Sequence, residues 1–412
     1  MMSRIETLAH GTDKYIIEVH TIKNLPVSHI NADDTGSLKT AIIGGTDRAR
    51  ISSQCLKNAW RQSETLIEYS ENLSASERSY RTRKLSDLVN QYLKDNYGYT
   101  DDDNDFVNNL VAEIVGSTEG VVCYISTEDV KFIAYIINKK KEHLSVTEIA
   151  KIAEKCKEKT KEKSKEKSED ESIKGSFKKG EIKKEFDKYK EDHGYVIPAI
   201  VNIFGRMSTA EAIINIDSSI STAHAISTHV VTQESDYFTA VDDIVKDAEG
   251  GAGHINDVMF NSACYYHYLN FSVNQFCNNM LKTITDETYM QNAMDHVVET
   301  LLEAVCFENP RTKQTSFASP TVPECLYVVV KNKNRATTHL GAYTDPVKND
   351  KDVIRNSVMR LSEDVNAIDT AFPMSVVGSY WLAPKYTDIC PKNAEQVMTF
   401  DELVEKVGGL LK

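Results

Sequence analysis

A chain of 412 residues with 41% hydrophobic side chains is long enough to bury a large core, in two to three domains. Its formal net charge of -13 excludes a uniformly basic surface, and no apolar run approaches the roughly 20 residues that span a bilayer. Met1 to His10 has no secretory pattern, and the eight cysteines form no CxxC pair, so the expectation is a cytoplasmic protein with reduced thiols, no structural metal and no membrane partner.

Tyr15 to Lys23 (YIIEVHTIK) is rich in β-branched residues and reads as a strand that Asn24-Leu25-Pro26 closes. A loop follows through Asn31, Asp33, Asp34, Gly36 and Ser37. Ala41-Ile42-Ile43 then meets Gly44-Gly45, where the missing side chains permit a positive φ or the close approach of another backbone. After Arg48-Ala49-Arg50-Ile51 comes a helix with a clear two-sided pattern. Ser52 or Ser53 caps it, and Cys55, Leu56, Ala59 and Trp60 make one apolar face. Gln54, Lys57, Asn58 and Arg61 repeat at i, i+3, i+4, i+7 and make a basic stripe opposite. From Lys39 to Arg61, Lys39, Arg48, Arg50, Lys57 and Arg61 stand against Asp47 alone, so one short segment of an acidic chain is cationic. Serines and free N–H groups at the helix start, with Lys57 and Arg61 one and two turns on, suit successive phosphates, although such a stripe taken alone is more often a solvated face.

Residues 64–195 are mostly polar and helical in pattern, with Leu85 to Tyr97 and Asp105 to Val115 as amphipathic helices, and read as a helical insertion. Within it, residues 151–190 form a Lys/Glu-rich loop in which 15 Lys face 10 acidic residues, a solvated segment of modest charge. Strand character returns from Val196 through Ile203 and Phe204 to Thr209, and Asp217 to Thr228 reads as a short helix. Asp236 to Ile244 and Gly250 to Phe260 bracket a glycine-rich tip in a protruding hairpin, and Ser262 to Phe271 alternates like a strand. Asp286 to Phe307 is a long amphipathic helix, Leu326 to Lys331 a strand and Val353 to Ala367 a helix. The order is α+β, compatible with a small antiparallel sheet carrying helices on one side.

The stretch HINADDTG…KTAIIGGTDRARISSQCLKNAWR (His29 to Arg61) resembles the amino-terminal signature of the CasC family, the backbone subunit of type I-E CRISPR Cascade. FGRMSTA (Phe204 to Ala210), AHAISTHVV…SDYFTAVDD (Ala223 to Asp243) and GAGHI…FNSACYYHY (Gly251 to Tyr268) agree in order, with a weaker echo at KQTSFA (Lys313 to Ala318). The chain departs from the family pattern at Thr46-Asp47 and at Ala32, where basic residues are expected.

The resemblance implies an RRM-like (ferredoxin-like) palm from residues 1–63 and 196–412, helical fingers from 64–195, and a β-hairpin thumb at about 232–260. It implies a non-catalytic, cytoplasmic subunit with no cofactor that polymerises with other copies of itself along crRNA, joins other Cascade subunits and presents the guide for pairing with target DNA. Carried over by motif position, Lys39, Ser52, Gln54, Lys57 and Arg61 contact the RNA backbone, helped by Arg48 and Arg50. Met207, with Ile255 from the thumb, wedges beside a displaced nucleotide, and Tyr237, Phe238 and Thr239 line the neighbouring segment.

These roles have plainer readings in the residues themselves. A methionine such as Met207 is, taken alone, more often core filler, and only the resemblance favours the wedge; Tyr265, Tyr266 and Tyr268 suit sheet packing better than base stacking. Asp33-Asp34 raises the alternative of a Mg²⁺-dependent RNA-cleaving relative, set against a loop turn that binds its own backbone. His224, His229 and His254 are ligand or acid/base candidates, although the spacing of His224 and His229 keeps them off one helical face.

Overall fold

The computed structural model describes residues 3–74, 78–115, 122–159, 177, 180–240, 254–284, 286–348 and 351–412. Its strands are β1 (Ile16–Ser28), β2 (Thr40–Ile43), β3 (Thr46–Ile51), β4 (Ser79–Thr82), β5 (Cys123–Ser126), β6 (Ile220–Thr222), β7 (Ala225–Ser227), β8 (Glu234–Ala240), β9 (His254–Ser272), β10 (Cys325–Lys331), β11 (Val376–Leu382) and β12 (Glu395–Gln396). The helices are α1 (Arg4–His10), α2 (Ser53–Arg61), α3 (Glu64–Leu73), α4 (Leu85–Tyr97), α5 (Asn104–Val115), α6 (Thr127–Glu142), α7 (Val146–Lys159), α8 (Glu181–His193), α9 (Ala199–Phe204), α10 (Val273–Leu281), α11 (Glu287–Phe307), α12 (Gln314–Phe317), α13 (Val353–Ala371) and α14 (Phe400–Gly409). The α+β class expected from the order of patterns is therefore the class observed.

Packing divides the chain into two units, one of Met1–Tyr69, Ile220–Asn274 and Met294–Lys412, the other of Ser70–Ser219 and Gln275–Ala293. This division differs from the boundaries at 63/64 and 195/196 read from sequence, because α9 and the segment after it pack with the helical part.

In the first unit one sheet runs β12-β11-β10-β1-β9-β7-β3-β2, with β6 and β8 also paired to β9. Its pairs are antiparallel except β11 with β12. β1 does not stop at Pro26. It continues to Ser28 beside β9 across an irregularity between Leu25 and Ser28, where a proline without an N–H removes a rung and a bulge absorbs the loss. On one face Tyr266, Tyr327 and Trp381 meet Val358, Leu361 and Val365 of α13 in a closed core. Tyr265, Tyr266 and Tyr268 are 4%, 2% and 8% exposed, which makes them packing residues rather than stacking platforms. Glu18 and Lys331 form a buried ion pair, and the Tyr268 hydroxyl donates to Glu18 Oε1 at 2.8 Å.

Two sequence expectations fail here for physical reasons. Asp217 to Thr228 is not a helix: its Ile, Ser and Thr residues enter β6 and β7, where β9 supplies ready partners. Val196 to Ile203 is not extended either, since Ala199–Phe204 is helical, and burial of every residue from Ala199 to Ile203 erases the periodicity that would reveal it.

The second unit joins the β4–β5 ladder to helices whose apolar faces interlock, including Val89 and Leu93 of α4, Leu110 and Ile114 of α5, and Phe132 and Ile136 of α6. Phe132 meets Phe186 of α8 edge-on, with ring centroids 4.9 Å apart. Of the Lys/Glu-rich stretch, residues 160–176 and 178–179 lie outside the described residues, as does the glycine-rich tip at 241–253. Among the described residues no helix is long and apolar enough to cross a membrane.

Candidate nucleic-acid interface

α2 begins where sequence places it. Ser52 is the N-cap, its Oγ accepting the Cys55 N–H at 3.3 Å, while its own N–H donates to Asn31 Oδ1 at 2.7 Å. Leu56 and Trp60 are buried, and the Trp60 ring stands edge-on to His267 of β9 at 5.5 Å. That burial turns the opposite side outward: Gln54 and Asn58 are exposed, and Lys57 and Arg61 are partly so. Arg61 Nη2 donates to Asn58 Oδ1 at 2.8 Å, and Lys57 Nζ reaches the Ile220 carbonyl at 3.5 Å. The stripe read from spacing is thus a real face.

Lys39 and Arg50 join on the neighbouring backbone. The Arg50 N–H donates to the Lys39 carbonyl at 2.9 Å, Arg50 Nε to the Thr40 carbonyl at 3.1 Å, and Arg50 Nη1 lies 3.3 Å from Nδ1 of the exposed His224. Burial lowers the His224 pKa, and the charges of Arg50 and Lys39 lower it further. Burial raises the Cys55 thiol, with Lys39 acting against it. Two cations, a histidine and a helix start therefore share one region, and neither Lys39 nor Arg50 has an acidic partner among the described residues.

Arg48 is a correction. It lies two residues before Arg50 on β3 but is wholly buried. Its guanidinium donates to Thr46 Oγ1 at 3.0 Å and to the carbonyls of Ser227 and Tyr343 at 2.9 Å each. It holds loops together and offers no surface to a phosphate. Thr46, a departure from the family pattern, completes this arrangement by also donating to the Ile43 carbonyl at 3.1 Å. Gly44, at φ 60°, permits it, because a Cβ there would collide with the Thr344 carbonyl oxygen.

Asp33 serves its own loop: Oδ1 accepts from Thr35 N at 2.9 Å, Thr35 Oγ1 at 2.7 Å and Ser37 N at 3.0 Å, and these bonds, Thr35 Oγ1 first, lower its pKa. Among the described residues no group of three His, Cys, Asp or Glu side chains stands close enough to hold a metal ion. His229 is a core residue, with Nδ1 2.9 Å from the Val230 carbonyl and Nε2 accepting the Cys264 N–H at 3.2 Å.

In β8, Tyr237 and Phe238 are 64% and 43% exposed, and the ladder sets Thr239 directly opposite Ile255 of β9. In the second unit Met207 is 92% exposed, which removes the core-filler reading. Sequence reasoning missed what precedes it. Arg206 is buried against Asp129 and Tyr195, a set 77 and 11 residues apart that no local pattern reveals.

The fold and this face define an α+β protein with a mostly antiparallel sheet bearing a capped, cationic helix. Residues 17–406 match the family described as CT1975-like protein, and the chain belongs to that family. A chain of a solved "CRISPR RNA-guided surveillance complex, pre-nicking" is similar in fold, with a TM-score of 0.71 at 23% identity over 96% of this chain and 100% of that one. A chain of a "CRISPR RNA-guided surveillance complex" is similar with a TM-score of 0.57 at 19% identity, over the same shares of 96% and 100%. No curated protein sequence matches.

Proposed function

We propose that this protein is a non-catalytic crRNA-binding backbone subunit of a CRISPR surveillance complex, of the CasC class found in type I-E Cascade. The observation that carries the reading is the pair Lys39 and Arg50, cations with no acidic partner among the described residues, beside the capped start of α2 in a chain of net charge -13. A guide-bearing protein must accept any base sequence, so its grip falls on phosphates and sugars while base pairing reads the target. Lys39, Arg50, Ser52, Gln54, Lys57 and Arg61 are the phosphate contacts in this reading, and Met207 is an apolar wedge that unstacks a nucleotide. Tyr237, Phe238, Thr239 and Ile255 belong to a thumb hairpin, the antiparallel core β10-β1-β9 to an RRM-like palm, and the helical unit to the fingers. Copies stack along one guide, with other subunits at hand, and leave its free bases to pair with target DNA. The likeness in fold to chains of RNA-guided complexes supports this assignment.

The test is RNA affinity of the full-length chain against salt. Replacing Lys39 and Arg50 with Ala lowers the log–log salt slope by about 0.7 for each phosphate contact removed from single-stranded RNA. An unchanged slope and affinity overturns the reading.

A further inference from the structure

Met207 is 92% exposed while Arg206, next to it, has 1% of its side chain exposed. An apolar side chain that touches so little of its own protein takes no position from packing. Its place is set by the backbone that carries it, and that backbone is unusually well held.

Arg206 is tied to four residues, Ile216, Ile214, Asp129 and Tyr195. Its N–H donates to the Ile216 carbonyl at 2.8 Å and its carbonyl accepts the Ile216 N–H at 3.0 Å. Nε donates to the Ile214 carbonyl at 2.8 Å, which closes the loop that displays Met207. The two terminal nitrogens grip both oxygens of Asp129, with Nη2 3.0 Å from Oδ1, and Nη2 also donates to the Tyr195 hydroxyl at 3.1 Å. Asp129 is itself fixed, since Oδ2 accepts from Ser126 N at 2.6 Å and Ser126 Oγ at 2.7 Å in the capping box of α6. On the other flank Gly205 has φ 71°, and a Cβ there would stand 2.6 Å from Ser218 N. The chain enters the loop by one path.

We infer that Arg206, clamped by Asp129 and Tyr195, is the positioning residue that sets where Met207 stands against the guide RNA. The inference rests on the reading of Met207 as a wedge and goes beyond it, because Arg206 acts through Met207 and not on the RNA. A wedge must hold its place while stacking forces push back, so its mount must not yield. The planar guanidinium spans Asp129, Tyr195 and the Ile214 carbonyl at once; a lysine ammonium, although equally charged, lacks that fork.

The experiment uses the full-length protein with guide RNAs carrying 2-aminopurine at successive positions. Binding brightens the positions that are unstacked, and Met207→Ala removes the brightening. Arg206→Lys and Tyr195→Phe are expected to lose roughly half or more of it, while RNA affinity stays within about threefold of wild type because the phosphate contacts are untouched. Circular dichroism checks folding, and Tyr195→Phe, which keeps both charges, decides the matter if Arg206→Lys does not fold. Full brightening in a folded Arg206→Lys or Tyr195→Phe protein overturns the inference. Full brightening in Met207→Ala overturns instead the wedge reading beneath it.

Discussion

In the first unit Lys39 and Arg50 stand partly exposed at the start of α2 with no acidic partner among the described residues, whereas in the second Arg206 is sealed from water against Asp129. The difference follows from what each charge can do. A hydrated cation interacts weakly with its own protein, remains available to a polyanion and is screened by salt. A desolvated pair is costly to assemble and strongly destabilising to break, but it holds one geometry. Arg48 and Arg50 repeat the contrast within a single strand, one satisfied by carbonyls in the interior and the other beside an exposed histidine.

Breaking the buried pair gives the largest effect. Asp129→Ala leaves the Arg206 charge buried without its partner and should destabilise the chain by about 3–5 kcal/mol, read from the shift of its urea unfolding midpoint. Loss of less than 1 kcal/mol, on the order of one surface change, would mean the pair is not what holds this region. Arg48→Ala comes next: carbonyls that lose a charged donor should cost about 1.5–3 kcal/mol, with the salt slope of RNA binding unchanged. Arg50→Ala should do the reverse, lowering that slope by about 0.7 while stability stays within about 0.5 kcal/mol. If Arg48→Ala changed the slope, the burial seen here would not describe the RNA-binding state.

Acid sharpens the comparison from the interior side. Burial lowers the His267 pKa from 6.5 to about 3, helped by the charge of Lys23. Unfolded histidine takes up its proton as pH falls through 6.5, and folded His267 does not until about 3, so the unfolded state binds the proton first and stability is lost across that window. At about pH 5 the loss is about 2 kcal/mol relative to neutral pH. His267→Gln should remove it, and equal pH dependence of the urea midpoints in both proteins would contradict the burial of this ring.

Local chemistry made much of the candidate face legible. Ser52 as a cap, the alternation of Leu56 and Trp60 with Gln54, Lys57 and Arg61, and the double glycine at the β2–β3 turn are short-range facts, carried by backbone sterics and a period of 3.6 residues. The helices α4 and α5 and the strand β10 were readable for the same reason. Arg48 was misread because a basic residue in a basic segment carries no sign of which carbonyls it will meet. The carbonyls it meets at 2.9 Å belong to residues 179 and 295 positions away.

The α2 face needed only neighbours in sequence, since a helix sorts its side chains by spacing before it packs against anything. The Met207 mount needed the folded chain, because desolvating Arg206 is tolerable only where Asp129 and Tyr195 arrive from distant segments to receive it. Spacing along the chain therefore set which side of α2 is cationic, while long-range contact set which arginines remain on the surface.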